Sequence, residues 1–304
     1  MQLTFRQLQI FVAVARLGNA TKAAEKLYLT QAAVSMAINE MERLLEKKLF
    51  ERVGRRIVLN EYGRVMFEKA VELLNKFCDL ESLFTDKEKV TGLLKLGATI
   101  TIGNYVLPPL LIGFIKKYPD VKMEIKIENT EEICKMINEY DIDVAFIEGL
   151  CGSEKVDKIS WLKDSLVLFA SKDNPLSNKK EININDLKNV NWILREKGSG
   201  TRQSFEKAIK GKLNNINVIA EIGSNEAIKR AVESGMGISC LSYDSIKRDV
   251  ETGLLKIIQA PWIKIEREFS ILTNCCKYKT TLLDCFLKYM LGMNAPDKLD
   301  MYIN

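Results

Sequence analysis

Residues 18–60 read GNATKAAEKLYLTQAAVSMAINEMERLLEKKLFERVGRRIVLN, and their spacing predicts two short helices, a tight turn and a basic hairpin. In the first helix Ala20, Ala23, Ala24 and Leu27 recur at three and four, which puts small apolar side chains on one face and lets a second helix pack close. Tyr28 and Leu29 make the turn, Thr30 caps the next helix, and Val34, Ile38, Met41 and Leu45 hold that helix against the core. Its opposite face carries Gln31, Ala32, Ser35, Met36 and Asn39, short or polar enough to reach base edges in a major groove. Leu49 to Val53 and Ile57 to Leu59 read as short strands turning at Gly54, with Arg52, Arg55 and Arg56 at the tip to meet phosphates or a narrow minor groove.

A solvated turn on a helical packing domain would share this pattern, and charge distribution weighs against it. Residues 1–60 hold ten Lys/Arg against five Asp/Glu, while the whole chain holds 45 against 40. All the net positive charge therefore lies in the first fifth, the electrostatic footprint of nucleic-acid binding. Asn60 then caps a long helix on which Met66, Ala70, Leu73, Phe77, Leu80 and Phe84 step by four and three, a heptad seam. A seam following a DNA reader implies pairing with a second copy and an approximately palindromic site; packing on its own chain is the alternative.

The segments F5-R-Q-L-Q-I-F, A23-A-E-K-L, T30-Q-A-A-V-S-M-A-I-N-E-M-E and L49-F-E-R-V-G-R-R together resemble the winged helix-turn-helix of LysR-type transcriptional regulators. The resemblance implies an all-α winged helix-turn-helix over 1–59, a linker and dimerisation helix over 60–90, and an effector-binding region over 91–304. It gives Gln31, Ala32, Ser35 and Met36 to the groove and Arg52, Arg55 and Arg56 to the wing and backbone. The family usually has Pro where Ala32 stands and often a basic residue where Asn39 stands, so its base preference does not carry over. Tetramers are usual in the family, whereas the seam argues only for a homodimer.

At 304 residues the chain suggests two or three domains. Leu96 to Ile115 lacks charge, but its glycines, threonines, Asn104 and two prolines make it a strand, a turn and a helix start rather than a membrane span. With no cleavable signal visible, the expected place is the cytoplasm. Seven cysteines without CxxC spacing, and no histidine, supply no metal site and no cofactor ligand set; they read as reduced thiols, with one of the adjacent Cys275 and Cys276 accessible. Absence of histidine also removes the commonest general base, so an enzyme is not expected.

Residues 92–304 alternate strand-like and helix-like runs, the pattern of parallel sheets covered by helices. Strands are expected at Leu93–Ala98, Val121–Ile127 and Val144–Ile147, and a second set at Leu166–Ala170, Trp192–Leu194, Val218–Ile222 and Ile238–Leu241. A last strand near Glu268–Asn274 would complete the first sheet. The family resemblance makes this an α/β periplasmic-binding-protein-like domain of two subdomains, 91–164 with 266–304 and 165–265, crossed near Asp164 and Ile265.

A ligand would sit in the cleft between them. Thr99 and Thr101 follow the first strand; Gly198, Ser199, Gly200, Thr201 and Arg202 open a helix whose N–H groups and dipole favour an anion or carboxylate. R195-E-K-G-S-G-T-R also matches a motif common in one branch of the family. Glu148 and Gly149 at a strand end, and Ser224 and Asn225 before a helix, stand second. Glu148 would repel an anion unless protonated or turned away, and so could instead recognise an amine or hydroxyl; Arg202 could neutralise the ligand or pair with an acid outside the cleft. The expected partners are double-stranded promoter DNA and a small anionic or acidic metabolite. The rival is a cytoplasmic small-molecule-binding protein or enzyme using the same cleft, which leaves the basic reader unexplained.

Overall fold

The computed structural model describes residues 3–54, 56–82, 90–211 and 216–292. The chain divides into two compact units, Met1–Thr91 with Cys275–Asp284, and Gly92–Asn274 with Cys285–Asn304.

In the first unit, local chemistry sets nearly every boundary. Helix α1 (Phe5–Leu17) opens on a capping box between Thr4 and Gln7 and ends at Gly18 with φ of 60°. Helix α2 (Ala20–Leu27) is capped by Asn19, whose Oδ1 accepts from the N–H groups of Thr21 (2.8 Å) and Lys22 (3.1 Å). Thr30 caps α3 (Gln31–Leu45) as its spacing predicts. Strands β1 (Phe50–Val53) and β2 (Arg56–Leu59) pair antiparallel around Gly54. Ile10, Val14, Ala23, Ala24 and Val34 form the core, and the Ile57 N–H donates to Gly18 O at 2.9 Å, tying hairpin to helices.

Asn60 opens α4 (Glu61–Ser82): its Oδ1 accepts from the Gly63 N–H and its Nδ2 donates to Lys48 O, both at 2.8 Å. A Cβ on Gly63 would lie 2.1 Å from Leu49 O, so only glycine lets the helix pass this close to the hairpin backbone. The unit also takes in the segment from Cys275, where the Lys76 ammonium lies 5.6 Å from the Tyr278 ring centroid. The family pattern would give that segment to the effector region.

The second unit begins with β3 (Gly92–Thr99), a single helical turn at Ile102–Val106, α5 (Leu107–Lys117), β4 (Val121–Glu128), α6 (Thr130–Asn138) and β5 (Val144–Glu148). Long β6 (Val156–Ser171) leads to β7 (Asn191–Leu194), α7 (Gly200–Ile209), β8 (Asn217–Glu221), α8 (Asn225–Glu233), β9 (Ser239–Ser242), α9 (Tyr243–Glu251) and β10 (Leu255–Ile257). Strand β11 (Ile265–Asn274) returns, and α10 (Thr281–Gly292) closes the described chain.

Strands β4, β3 and β5 are parallel, as are β7 and β8, which fits the alternation. Strands β7 and β8 form a two-stranded sheet of their own, but the remaining strands of the unit are not divided between two sheets. The order β10-β6-β11-β5-β3-β4, with β9 also on β6, is one seven-stranded sheet, and β6 and β11 run antiparallel through the crossing. Asp164 and Ile265 therefore sit inside paired strands, with Leu166 facing Ile265 and Asp164 facing Arg267. The first-lobe core stacks Phe114, Phe146 and Phe286 edge-on, and the second packs Trp192 on Phe205 at 5.0 Å. Burying each such ring contributes about 1.5–3 kcal/mol. Among the described residues no helix is long and apolar enough to cross a membrane, and Cys275 and Cys276 are both exposed, with sulfurs 3.7 Å apart.

Candidate DNA-contact surface and effector cleft

On α3, the residues Gln31, Ala32, Met36 and Asn39 are exposed or half-exposed and Ser35 is half-buried. Gln31 Nε2 donates to Ser35 Oγ at 2.8 Å, so these two act as one polar unit. Met36 is 72% exposed, far out for so apolar a side chain on a folded unit. The first turn of α3 holds no acid, leaving its positive dipole end uncompensated. Arg52 and Arg56 are exposed on the hairpin; Arg55 lies outside the described residues.

The hairpin's position depends on a residue absent from the sequence reading. Glu42, buried on α3, accepts from the N–H groups of Leu49 (2.9 Å) and Phe50 (3.4 Å) and pairs with the Lys48 ammonium at 2.7 Å. It replaces ladder partners that the start of β1 lacks.

The heptad seam divides in two. Ala70 is fully buried, alongside Phe67 and Val71, because this part of α4 packs on α1, with the Phe11 and Phe67 rings 6.5 Å apart. Ala70 is therefore spent within its own unit, and Met66 is half-buried. Leu73 and Leu80 stand 53% and 50% exposed, and Phe77, 4.2 Å from the Phe5 ring, is also exposed. Phe84 lies outside the described residues.

In the second unit a buried polar network joins strand ends from both lobes. Glu148, at the end of β5, accepts from the Thr99 hydroxyl and, at 3.4 Å, from the Thr201 hydroxyl. Thr201 Oγ1 in turn accepts from Arg267 Nη1 at 3.0 Å, and that nitrogen lies 3.8 Å from Glu148 Oε1. Arg267 Nε bonds Asp164 Oδ2 at 2.6 Å, while the Ser242 hydroxyl donates to Asp164 Oδ1 at 2.7 Å. Arg267 is thus shared by two carboxylates, with its shorter contact to Asp164 and its longer one to Glu148.

The Gly198–Arg202 segment does something other than offer a bare helix end. Ser199 Oγ caps α7 by accepting from the Arg202 N–H, and the Gly200 N–H donates to Thr130 Oγ1 at 3.0 Å. Thr130 itself donates to Glu148 O at 2.8 Å. A Cβ on Gly200 would lie 2.1 Å from Glu148 O, so glycine here lets the lobes touch backbone to backbone. Gly149, at φ of 96°, and Gly198, at 87°, shape the same contact. Arg202 points away: it bonds Glu206 at 2.5 Å, Arg195 O at 2.9 Å and Glu221 at 3.3 Å, all in the second lobe. As an effector contact it is corrected, since three acceptors already hold its guanidinium.

Three buried groups beside the cleft make no hydrogen bond to any described residue: Thr101 Oγ1, Asn225 Nδ2 and Arg267 Nη2. Asn225 is oriented by Arg195 Nη1, which donates to its Oδ1 at 3.0 Å and leaves the buried amide nitrogen for another partner. Arg267 was missed in the sequence although its signal is there. On β11 the inward positions Ile265, Phe269 and Ile271 are apolar, and Arg267 shares the face of Ile265 and Phe269. Asp164 likewise falls between Leu162 and Leu166 on β6. In the turn that follows Thr101, the Tyr105 hydroxyl donates to Glu226 at 2.6 Å. Burial and that acceptor push the phenol's pKa up; burial also pushes Glu226 up, but bonds from Lys229 and Tyr105 outweigh it and the carboxyl sits below its usual range.

A helix-turn-helix unit with a basic hairpin, followed by a two-lobed ligand cleft, defines a DNA-binding regulator of the small-molecule-responsive class. Residues 5–64 match the family described as "Bacterial regulatory helix-turn-helix protein, lysR family" and residues 87–294 match "LysR substrate binding domain". The chain belongs to the LysR family of transcriptional regulators, which are not enzymes. It is 35% identical over 296 residues to the HTH-type transcriptional regulator YeiE of Escherichia coli K12, covering 97% of this chain and all of that one. Against the activator CmpR of Synechocystis it is 33% identical over 290 residues, covering 95% of each. A full-length OxyR variant from Pseudomonas aeruginosa shares the fold at a TM-score of 0.76 and 20% identity, covering 96% of this chain and 94% of that one. The regulatory domain of Synechocystis CcmR, solved in complex with 2-PG, matches at a TM-score of 0.62 and 31% identity, covering 66% of this chain and 97% of that one.

Proposed function

We propose that this regulator reads promoter DNA as a homodimer or tetramer in the cytoplasm and is controlled by a small anionic or acidic metabolite bound between the lobes. One observation carries the effector reading: the unpartnered buried groups at the cleft are the Thr101 hydroxyl, the Asn225 amide NH₂ and an Arg267 NH₂. Two can only donate and the third can donate, so the missing partner is rich in acceptors. Thr99, Glu148, Gly149, Gly198, Ser199 and Thr201 frame the site, and Arg267 joins it in place of Arg202. The CcmR complex with 2-PG supports the same class of ligand.

On the DNA side, Gln31, Ala32, Ser35, Met36 and Asn39 face the groove and Arg52, Arg55 and Arg56 the backbone. Residues 1–59 form the reader, 60–90 the dimerising linker through Leu73, Phe77 and Leu80, and 91–304 the sensor, with lobes 91–164 with 266–304 and 165–265. The test is calorimetric titration with 2-PG and with inorganic phosphate, on the full chain and on Arg267→Lys, which keeps the charge and loses the planar fork. Binding that weakens about tenfold or more in Arg267→Lys is expected, the loss of one charge-assisted bond. Equal affinity in both proteins would remove Arg267 from the site, and no binding of either probe would count against an anion.

A further inference from the structure

The two lobes meet in two chemically different ways. On one side Gly200 lies against Glu148 O and Thr130, with every participant buried. No water reaches that contact to compete for its bonds. On the other side, at the turn carrying Tyr105, the hydrogen bond between the lobes is made by a phenol. Tyr105, in the turn that follows Thr99 and Thr101, donates to Glu226 Oε1 at 2.6 Å across 121 residues of chain. Glu226 is 58% exposed, so water competes there, and the bond can break and re-form.

The acceptor is nevertheless held ready. Lys229, one turn further along α8 and nearly buried, pairs with Glu226 at 2.7 Å and Asp249 at 2.8 Å and donates to Ser245 O at 3.1 Å. All three protons of its ammonium are thereby placed, and the Tyr105 ring lies 5.6 Å from the nitrogen. The second lobe thus presents a fixed carboxylate and a cation to one aromatic hydroxyl of the first. Glu226 directly follows Asn225, whose buried amide nitrogen has no hydrogen-bond partner among the described residues and belongs to the proposed effector site, so moving one moves the other.

We infer that Tyr105 and the Glu226–Lys229 pair form a latch: the lobes pivot on the dry contact at Gly200, and this wet contact governs effector entry and release. The inference rests on the effector-cleft reading for what passes through, though not for the latch itself. When the latch opens, the α8 N-terminus and Asn225 swing away from Thr101; when it closes, the acceptor-rich ligand is enclosed. A latch that is shut both with and without ligand slows entry and release alike, and weakening it speeds both.

Tyr105→Phe keeps the ring over Lys229 and removes only the hydroxyl. Amide hydrogen exchange of the ligand-free full chain should accelerate about tenfold over 225–230 in this variant, as expected for one lost charge-assisted hydrogen bond. Glu226→Gln, which keeps an acceptor but loses the charge, should fall between. Tyr289→Phe is the control, since its hydroxyl donates to Leu110 O at 3.4 Å within the first lobe and its loss should leave 225–230 unchanged. Equal exchange in Tyr105→Phe and wild type would overturn the latch, as would equal acceleration in the Tyr289→Phe control. Stopped-flow dissociation of 2-PG or inorganic phosphate forms the second arm, with release expected about tenfold faster in Tyr105→Phe and an unchanged rate counting against gating. If neither probe binds even the wild type, the effector reading fails while the exchange result still decides the latch.

Discussion

Replacing Glu42 with Ala tests whether one buried carboxylate positions the wing. The Leu49 N–H, on a residue 2% exposed, would lose its acceptor at 2.9 Å, and the Phe50 N–H its weaker one at 3.4 Å. A buried donor left unmet costs about 1–3 kcal/mol, with Phe50 at the low end. The ion pair with Lys48 adds little, because that side chain is 75% exposed. Alanine's better helix propensity returns a few tenths. The sum is about 2–4 kcal/mol against the docked hairpin, or roughly 30- to 1000-fold in its opening equilibrium. Glu42→Gln keeps one carbonyl acceptor for Leu49 and should lose only about 1 kcal/mol. Native-state exchange at the Leu49 and Phe50 amides reads both numbers directly, and affinity for a promoter duplex should fall in the same order. If Glu42→Ala changes exchange there by less than about twofold, or if Ala and Gln behave alike, the carboxylate does not hold the wing.

Three further outcomes are expected. Arg52→Ala and Arg56→Ala should each weaken binding to every duplex and make the salt dependence shallower by about one unit of slope; an unaltered slope would place that arginine off the phosphates. Thr101→Val, which swaps an unpartnered buried hydroxyl for a methyl, should raise the melting stability of the ligand-free protein by about 1–2 kcal/mol while weakening 2-PG or phosphate binding; a lowered melting temperature would mean the hydroxyl already has a partner. Gly200→Ala puts a Cβ 2.1 Å from Glu148 O and 2.7 Å from Thr130 Oγ1, and should cost about 1–3 kcal/mol of overpacking and abolish any probe-induced rise in melting temperature; an unchanged response would show that the lobes do not need this contact.

Where local chemistry decides, the elements were readable from the residues. Thr30 and Asn60 cap helices because short polar side chains reach their own backbone. The first half of β6 was not readable, since Val156 to Lys163 is mostly exposed and shows the polar run of a one-sided antiparallel strand. Partner choice was equally hidden. Ala70 looks like a seam residue until α1 is seen to cover it, and Arg202 looks like an anion ligand until Glu206 and Glu221 claim it. In both cases the sequence had left two partners open, and it is tertiary packing that tells which one a side chain meets. Glu42 and Arg267 were missed for the complementary reason, a charge on an inward face, which is the pattern most worth noticing in an otherwise apolar alternation.

The facing of Leu166 and Ile265 across β6 and β11 has a consequence for the lineage and the engineering of this chain. Their α-carbons stand about 5 Å apart, so the stretch 167–264 leaves and rejoins its host at one doorway, as an inserted cassette does. There is no slack tether there. Any rearrangement a ligand drives must travel as twist in a two-stranded ribbon whose backbone bonds stay made. A foreign lobe with equally close termini could be joined at that doorway, provided it also met the partners that Thr130, Glu148, Asp164 and Arg267 now find in the second lobe.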